Sequence, residues 1–143
     1  MRGLIATLIV GLFVALAPAA SAQSYHANTT TAVYMRTGPD THYPPVALVP
    51  AGSPVLVHGC VSGWVWCDVS WGPNRGWMAG AYLTATYQNR VVPYGYYGPR
   101  IGVPIIPFLF GRYWDRHYRG RSWYHNRGRY QRFYRSHRGR RRH

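Results

Sequence analysis

Five short apolar runs, each stopped by Gly or Pro, constrain this chain more than any other feature of its sequence. Val33, Met35 and Thr37 alternate with Tyr34 and Arg36 before Gly38-Pro39-Asp40. Residues 46–49 end at Pro50-Ala51-Gly52, residues 55–58 end at Gly59, residues 66–71 end at Gly72-Pro73-Asn74, and Gly76-Trp77-Met78 follows. In residues 66–71, Cys67, Val69 and Trp71 share one face and Trp66, Asp68 and Ser70 the other. Period-two alternation between turn residues is strand chemistry. So many short strands in about 50 residues favour closure into a small barrel, because closure removes exposed edges.

Charge divides the chain. Between residues 28 and 86, Arg36 and Arg75 balance Asp40 and Asp68. From residue 87 to the end, 14 Arg stand against Asp115 alone, a net of +13, interleaved with Tyr, Trp and Phe. A coding bias would explain Arg without Lys, but not the confinement of the charge to one half. The step predicts a domain boundary near residues 84–90.

At the N-terminus, Arg2, an apolar run over 4–17 and Ala20-Ser21-Ala22 make a secretory signal peptide cleaved after Ala22. The run is too short for a span of about 20 residues. The mature chain is expected to begin at Gln23 in an oxidising compartment, where Cys60 and Cys67 can bridge. A two-residue turn at Gly63-Trp64 would set these cysteines face to face, and one at Ser62-Gly63 would misalign them.

Met35-Arg36-Thr37-Gly38-Pro39, then Leu48-Val49-Pro50-Ala51-Gly52, then residues 66–69, then Gly76-Trp77-Met78 and Tyr82-Leu83 stand in the order of a known module. Over roughly 31–84 the chain resembles the bacterial SH3-like domain. Two departures are Tyr34, where Asn is usual, and a longer hairpin around Gly63. The resemblance implies a wall-targeting module that holds peptidoglycan, often its peptide part.

No catalytic set accompanies it. The two cysteines are spaced for a bridge rather than for a thiolate nucleophile. Asp40, Asp68 and Asp115 are isolated and Glu is absent, which argues against glycan cleavage. His117, His125, His137 and His143 lie among arginines in no metal-ligand spacing. No cofactor or metal is expected.

Trp77 and Tyr82 match structural positions of the fold, which leaves Tyr34, Tyr43, Trp64 and Trp66 as candidates for an aromatic ligand groove. Arg36 beside it could pair a stem-peptide carboxylate, or pair locally with Asp40 or another acid. Residues 101–110 are apolar for a linker and are expected against the barrel or as an edge strand, with a membrane or partner contact as the alternative. Residues 91–110 carry too much Pro and Gly for a continuous helix. Tyr130, Phe133, Tyr134 and His137 have helical spacing, although such a helix is marginal in isolation.

Arg112, Arg119, Arg121, Arg127, Arg129, Arg132, Arg140, Arg141 and Arg142 are the candidate polyanion contacts. Arg with aromatics is also the chemistry of nucleic-acid binders, but export argues for lipid phosphate, lipopolysaccharide or acidic glycan instead. The expected organisation is all-β: a signal peptide (1–22), an N-terminal linker (23–30), a five-stranded SH3-like barrel (31–84), a Pro/Gly-rich apolar linker (85–110) and an irregular, largely flexible basic tail (111–143). The expected function is that of an exported, periplasmic or extracellular, non-catalytic protein that binds peptidoglycan or a wall peptide. The alternative is a polyanion binder acting through its Arg-rich tail on lipopolysaccharide, anionic lipid or acidic glycan.

Overall fold

The computed structural model describes residues 24–138. The signal peptide, the Gln23 start and Arg140, Arg141 and Arg142 lie outside the described residues. The five anticipated runs are strands: β2 (Val33–Arg36), β3 (Pro45–Val49), β4 (Pro54–Cys60), β5 (Trp66–Trp71) and β6 (Asn74–Ala79). Three more join them: β1 (Tyr25–Thr29), β7 (Leu83–Tyr87) and β8 (Arg90–Pro93).

All eight form one antiparallel sheet in the order β3-β2-β6-β5-β4-β1-β7-β8. This corrects the five-stranded count. Among the described residues no pairing joins β3 to β8, so the hydrogen-bonded order is open. Residues 23–30 and 85–110, read from composition as linkers, contribute β1, β8 and the end of β7. The step in charge falls within the β7–β8 hairpin, whose turn residues Gln88 and Asn89 both have positive φ (50° and 61°), as a two-residue hairpin turn requires.

One face of the sheet encloses an aliphatic core of Val33, Met35, Val49, Val57, Val69 and Met78, with both cysteines. The helix α1 (Tyr94–Ile101) adds Tyr94 to it. Pro99 sits inside this helix, which stops two residues later where Gly102 takes a left-handed conformation (φ 87°) and donates to the Gly98 carbonyl.

The basic tail is ordered where it is described, which corrects the irregular, flexible tail. It forms α2 (Phe110–His117) and α3 (Arg127–Arg138) around a second core of Tyr43, Phe110, Trp114 and Tyr118. The 3.6-residue spacing noted above is the packing face of α3: Tyr130, Phe133 and Tyr134 all lie against this core. A helix marginal by itself is held here by aromatic burial. Residues 104–106 run beside the end of β4, where Cys60 donates to the Pro104 carbonyl (2.9 Å) and accepts from Ile106 (2.8 Å). Gly59 permits the approach, because a Cβ there would stand 2.7 Å from Ile106.

Candidate functional site

The side chains of β2 that point away from the aliphatic core are Tyr34 and Arg36. Tyr34 is 48% exposed, and the Arg36 guanidinium lies 5.3 Å from its ring centroid. Arg36 Nη1 also donates to the carbonyls of Thr41 (3.2 Å) and Tyr43 (3.0 Å), which ties the 37–44 loop to the sheet. The alternative for Arg36, a local pair with Asp40 or another acid, is not formed among the described residues. Asp40 Oδ1 instead accepts from the His42 backbone (2.9 Å) and faces its ring Nδ1 (2.8 Å). Burial raises the Asp40 carboxyl, but those contacts outweigh it and set its pKa below the ordinary value.

The proposed aromatic groove is divided by the fold. Trp66 is half-buried at the start of β5, opposite Ala79 of β6. β6 is also the neighbour of β2, through Arg36 and Trp77, so Tyr34, Arg36 and Trp66 belong to one three-strand face. Tyr43 does not join them: it is 3% exposed in the second core, edge-on to Phe133 and Phe108. Trp64 does not join them either. Its indole donates to the Val103 carbonyl (3.3 Å) and rests on α1, where a Cβ at Gly98 would lie 2.2 Å from the ring.

The hairpin that carries Trp64 also sets the cysteine register. Trp64 donates to the Val61 carbonyl (3.0 Å) across Ser62 and Gly63 (φ 78°), so the tight turn is centred on the pair expected to misalign the sulfurs. Trp64 itself then turns left-handed (φ 54°), and the loop becomes four residues long with Val61 donating to the Trp66 carbonyl (2.9 Å). Cys60 thus still faces Cys67, and the two form a disulfide.

The scan against family models matches residues 31–84 to the bacterial SH3 domain. Those residues are a bacterial SH3 domain. No curated protein and no solved structure gives a significant match. The match stops at the second residue of β7, so β1, β8 and the C-terminal helices lie outside it.

Two aromatics at the closing end of the SH3 domain have different positions. Trp77 is 1% exposed, edge-on to Phe108 and tilted against Tyr113, whereas Tyr82 is 47% exposed. Trp77 is therefore buried by the C-terminal segment and not by the SH3 core. Beside it lies a polar seam that the sequence did not disclose. Asp68 is buried and accepts two 2.7 Å hydrogen bonds from Arg75 and one of 2.6 Å from Tyr113 of α2. Tyr118 donates to the Arg75 carbonyl (2.9 Å), and Trp114 Nε1 to the Thr37 carbonyl (3.1 Å). Spacing alone could not pair Asp68 with Arg75 and Tyr113, because Tyr113 is 45 residues away.

Burial raises the Tyr113 and Tyr118 phenols, so both remain neutral donors. Burial, then the Arg75 charge, lowers the pKa of His58 and of His117. His58 Nε2 lies 2.7 Å from Ser70 Oγ. A nucleophilic serine needs its base oriented by a third group, and the nearby Asp68 carboxylate is already bound by Arg75 and Tyr113. Among the described residues no group of three or more His, Cys, Asp or Glu is placed to hold a metal. No helix of the described residues is long and apolar enough to cross a membrane.

The candidate polyanion contacts are spread over the helical layer. Arg112, Arg119, Arg121, Arg129 and Arg132 are exposed, and Arg121 donates to Asn74 Oδ1 (3.2 Å). Arg127 is half-buried and pairs with Asp115 (3.1 Å), and Arg119 approaches the same carboxylate (3.9 Å).

Proposed function

We propose that this chain is an exported, non-catalytic envelope protein whose SH3 domain binds peptidoglycan or a wall peptide over Tyr34, Arg36 and Trp66. The observation that carries the reading is the bacterial SH3 match over residues 31–84. Exposure of Tyr34 supports the location. The helical layer covers Trp77, whereas Tyr34 stays open beside Leu48, its partner on β3, which is 54% exposed. Apolar surface next to a guanidinium suits a short peptide that ends in a carboxylate. The Cys60–Cys67 disulfide fits an oxidising compartment.

The test is co-sedimentation of the mature chain with purified sacculi, for the wild type and for Tyr34→Ala and Trp66→Ala. Binding lost at unchanged melting temperature supports the reading; undiminished binding by both variants rejects it.

A second reading rests on the exposed arginines. Arg112, Arg129 and Arg132 have no acidic partner within salt-bridge distance among the described residues. They form a cationic layer able to attract lipopolysaccharide, anionic lipid or acidic glycan. Arg→Gln substitutions at these three positions should weaken attachment to anionic vesicles and leave sacculus binding at high salt in place.

A further inference from the structure

The second core does not close completely. Between residues 105–109 and the last turn of α3 a groove of about 730 Å³ opens, within the size range of small-molecule sites. Its wall is apolar: Val61 from the hairpin, Ile105, Phe108 and Leu109 from the extended run, and Tyr134 from α3. Ile105 and Leu109 are 49% and 38% exposed, so the apolar surface is presented to solvent.

The polar groups at its edge differ in availability. His137 and Arg138 come from α3. That helix carries Arg127, Arg129, Arg132, Arg135 and Arg138 and no acid. Asp40 is the one acid lining the groove among the described residues, and its carboxylate is engaged by His42. An occupant with a long apolar body and one anionic end matches this wall and this rim together. A polyanion without an apolar body would leave the wall in water, and a neutral lipid would leave the rim cation unused.

We propose that this groove binds the chain of a long-chain fatty acid, with its carboxylate at Arg138. The proposal is independent of wall binding, because Tyr34, Arg36 and Trp66 take no part in the groove.

The experiment is equilibrium dialysis of the mature chain against radiolabelled palmitate, with hexadecanol as the uncharged control. Palmitate should bind saturably at one per chain. Arg138→Gln and the exchange of palmitate for hexadecanol should each weaken binding about tenfold, near the lower end of what a charge-assisted hydrogen bond contributes. Ile105→Asp, at an exposed position, should abolish uptake. Circular dichroism and melting of that variant establish that it is folded, and Leu109→Gln provides a second probe of the same wall. Absence of saturable palmitate uptake overturns the proposal. Equal binding of palmitate and hexadecanol, or uptake unchanged by both wall variants, also overturns it. So does a chain that takes up no palmitate but sediments as a dimer which Ile105→Asp dissociates, because the groove then belongs to a second copy.

Discussion

Two cores lie on opposite faces of one sheet and are built by different rules. The inner one is aliphatic: Val33, Met35, Val49, Val57, Val69 and Met78 alternate into it along strands, and a disulfide closes one hairpin. The outer one is aromatic and joins Tyr43 of the SH3 domain to Phe110, Trp114 and Tyr118 of a segment rich in Arg. High net charge does not by itself leave a segment unfolded. Large rings supply apolar area that their number would not suggest, and the guanidinium groups remain in water while their stems pack.

The largest effect on the outer core alone is expected at Trp114, which is fully buried and donates to Thr37. Trp114→Ala should cost about 4 kcal/mol. Hydrogen exchange should then show loss of protection over residues 110–138 while β4 and β5 remain slow, as expected if the two cores open separately. Equal loss in both would make them one cooperative unit.

Asp68→Asn comes next. Replacing this buried, hydrogen-bonded carboxylate by an amide leaves Arg75 without its counter-charge and should cost about 3 kcal/mol, read as a shift of the urea midpoint. Because Tyr113 shares that carboxylate, this change should loosen both cores. A variant as stable as the wild type would show that the seam does not hold the layers together.

Opening the Cys60–Cys67 bridge should act on the inner core. Closing a loop of about eight residues contributes roughly 2.5 kcal/mol in the chain-entropy model. Reductant should lower the unfolding free energy by that amount, read as a lower denaturation midpoint at unchanged m, and thiol titration of the unreduced protein should find no free thiol.

Acid should have a smaller effect, centred on the seam. His58 and His117 have folded pKa values below their unfolded ones. Each therefore contributes stability that is fully present above about pH 6.5 and is lost as pH falls through the folded value. Melting temperature should decline from pH 7 to pH 5, and less so in His58→Gln. The smallest stability effect is expected for Tyr34→Ala, within about 0.5 kcal/mol for so exposed a side chain.

Legibility followed contrast between neighbouring residues. β2 to β6 were readable because short runs rich in Val, Met, Leu or Trp stand between Gly and Pro, with polar residues alternating into those of β2 and β5. β1 and β7 were not, since their inward positions include Ala27, Thr29 and Ala85, which differ too little from their neighbours to show a period. The α3 stripe of Tyr130, Phe133 and Tyr134 was visible as spacing, but its docking surface was not, because Tyr43 and Phe108 are remote in sequence. The same limit applies to the candidate groove. Tyr34, Arg36 and Trp66 fall on one face, whereas Tyr43 and Trp64 were taken into packing by elements that no local pattern could associate with them.

Removing the tail would uncover Trp77 and the seam, so wall binding is better tested in the chain with its tail. Sacculus co-sedimentation across a salt series, for the wild type and the Tyr34→Ala/Trp66→Ala double variant, separates a wall site on the sheet from attraction by the arginines. At about 1 M salt the Debye length is about 3 Å and attraction by the arginine layer is screened. The wild type should retain a salt-resistant fraction there, and the double variant should lose it while melting within a few degrees of the wild type. Binding that vanishes with salt in the wild type, or a salt-resistant fraction untouched by the double substitution, would contradict a wall site on the SH3 domain.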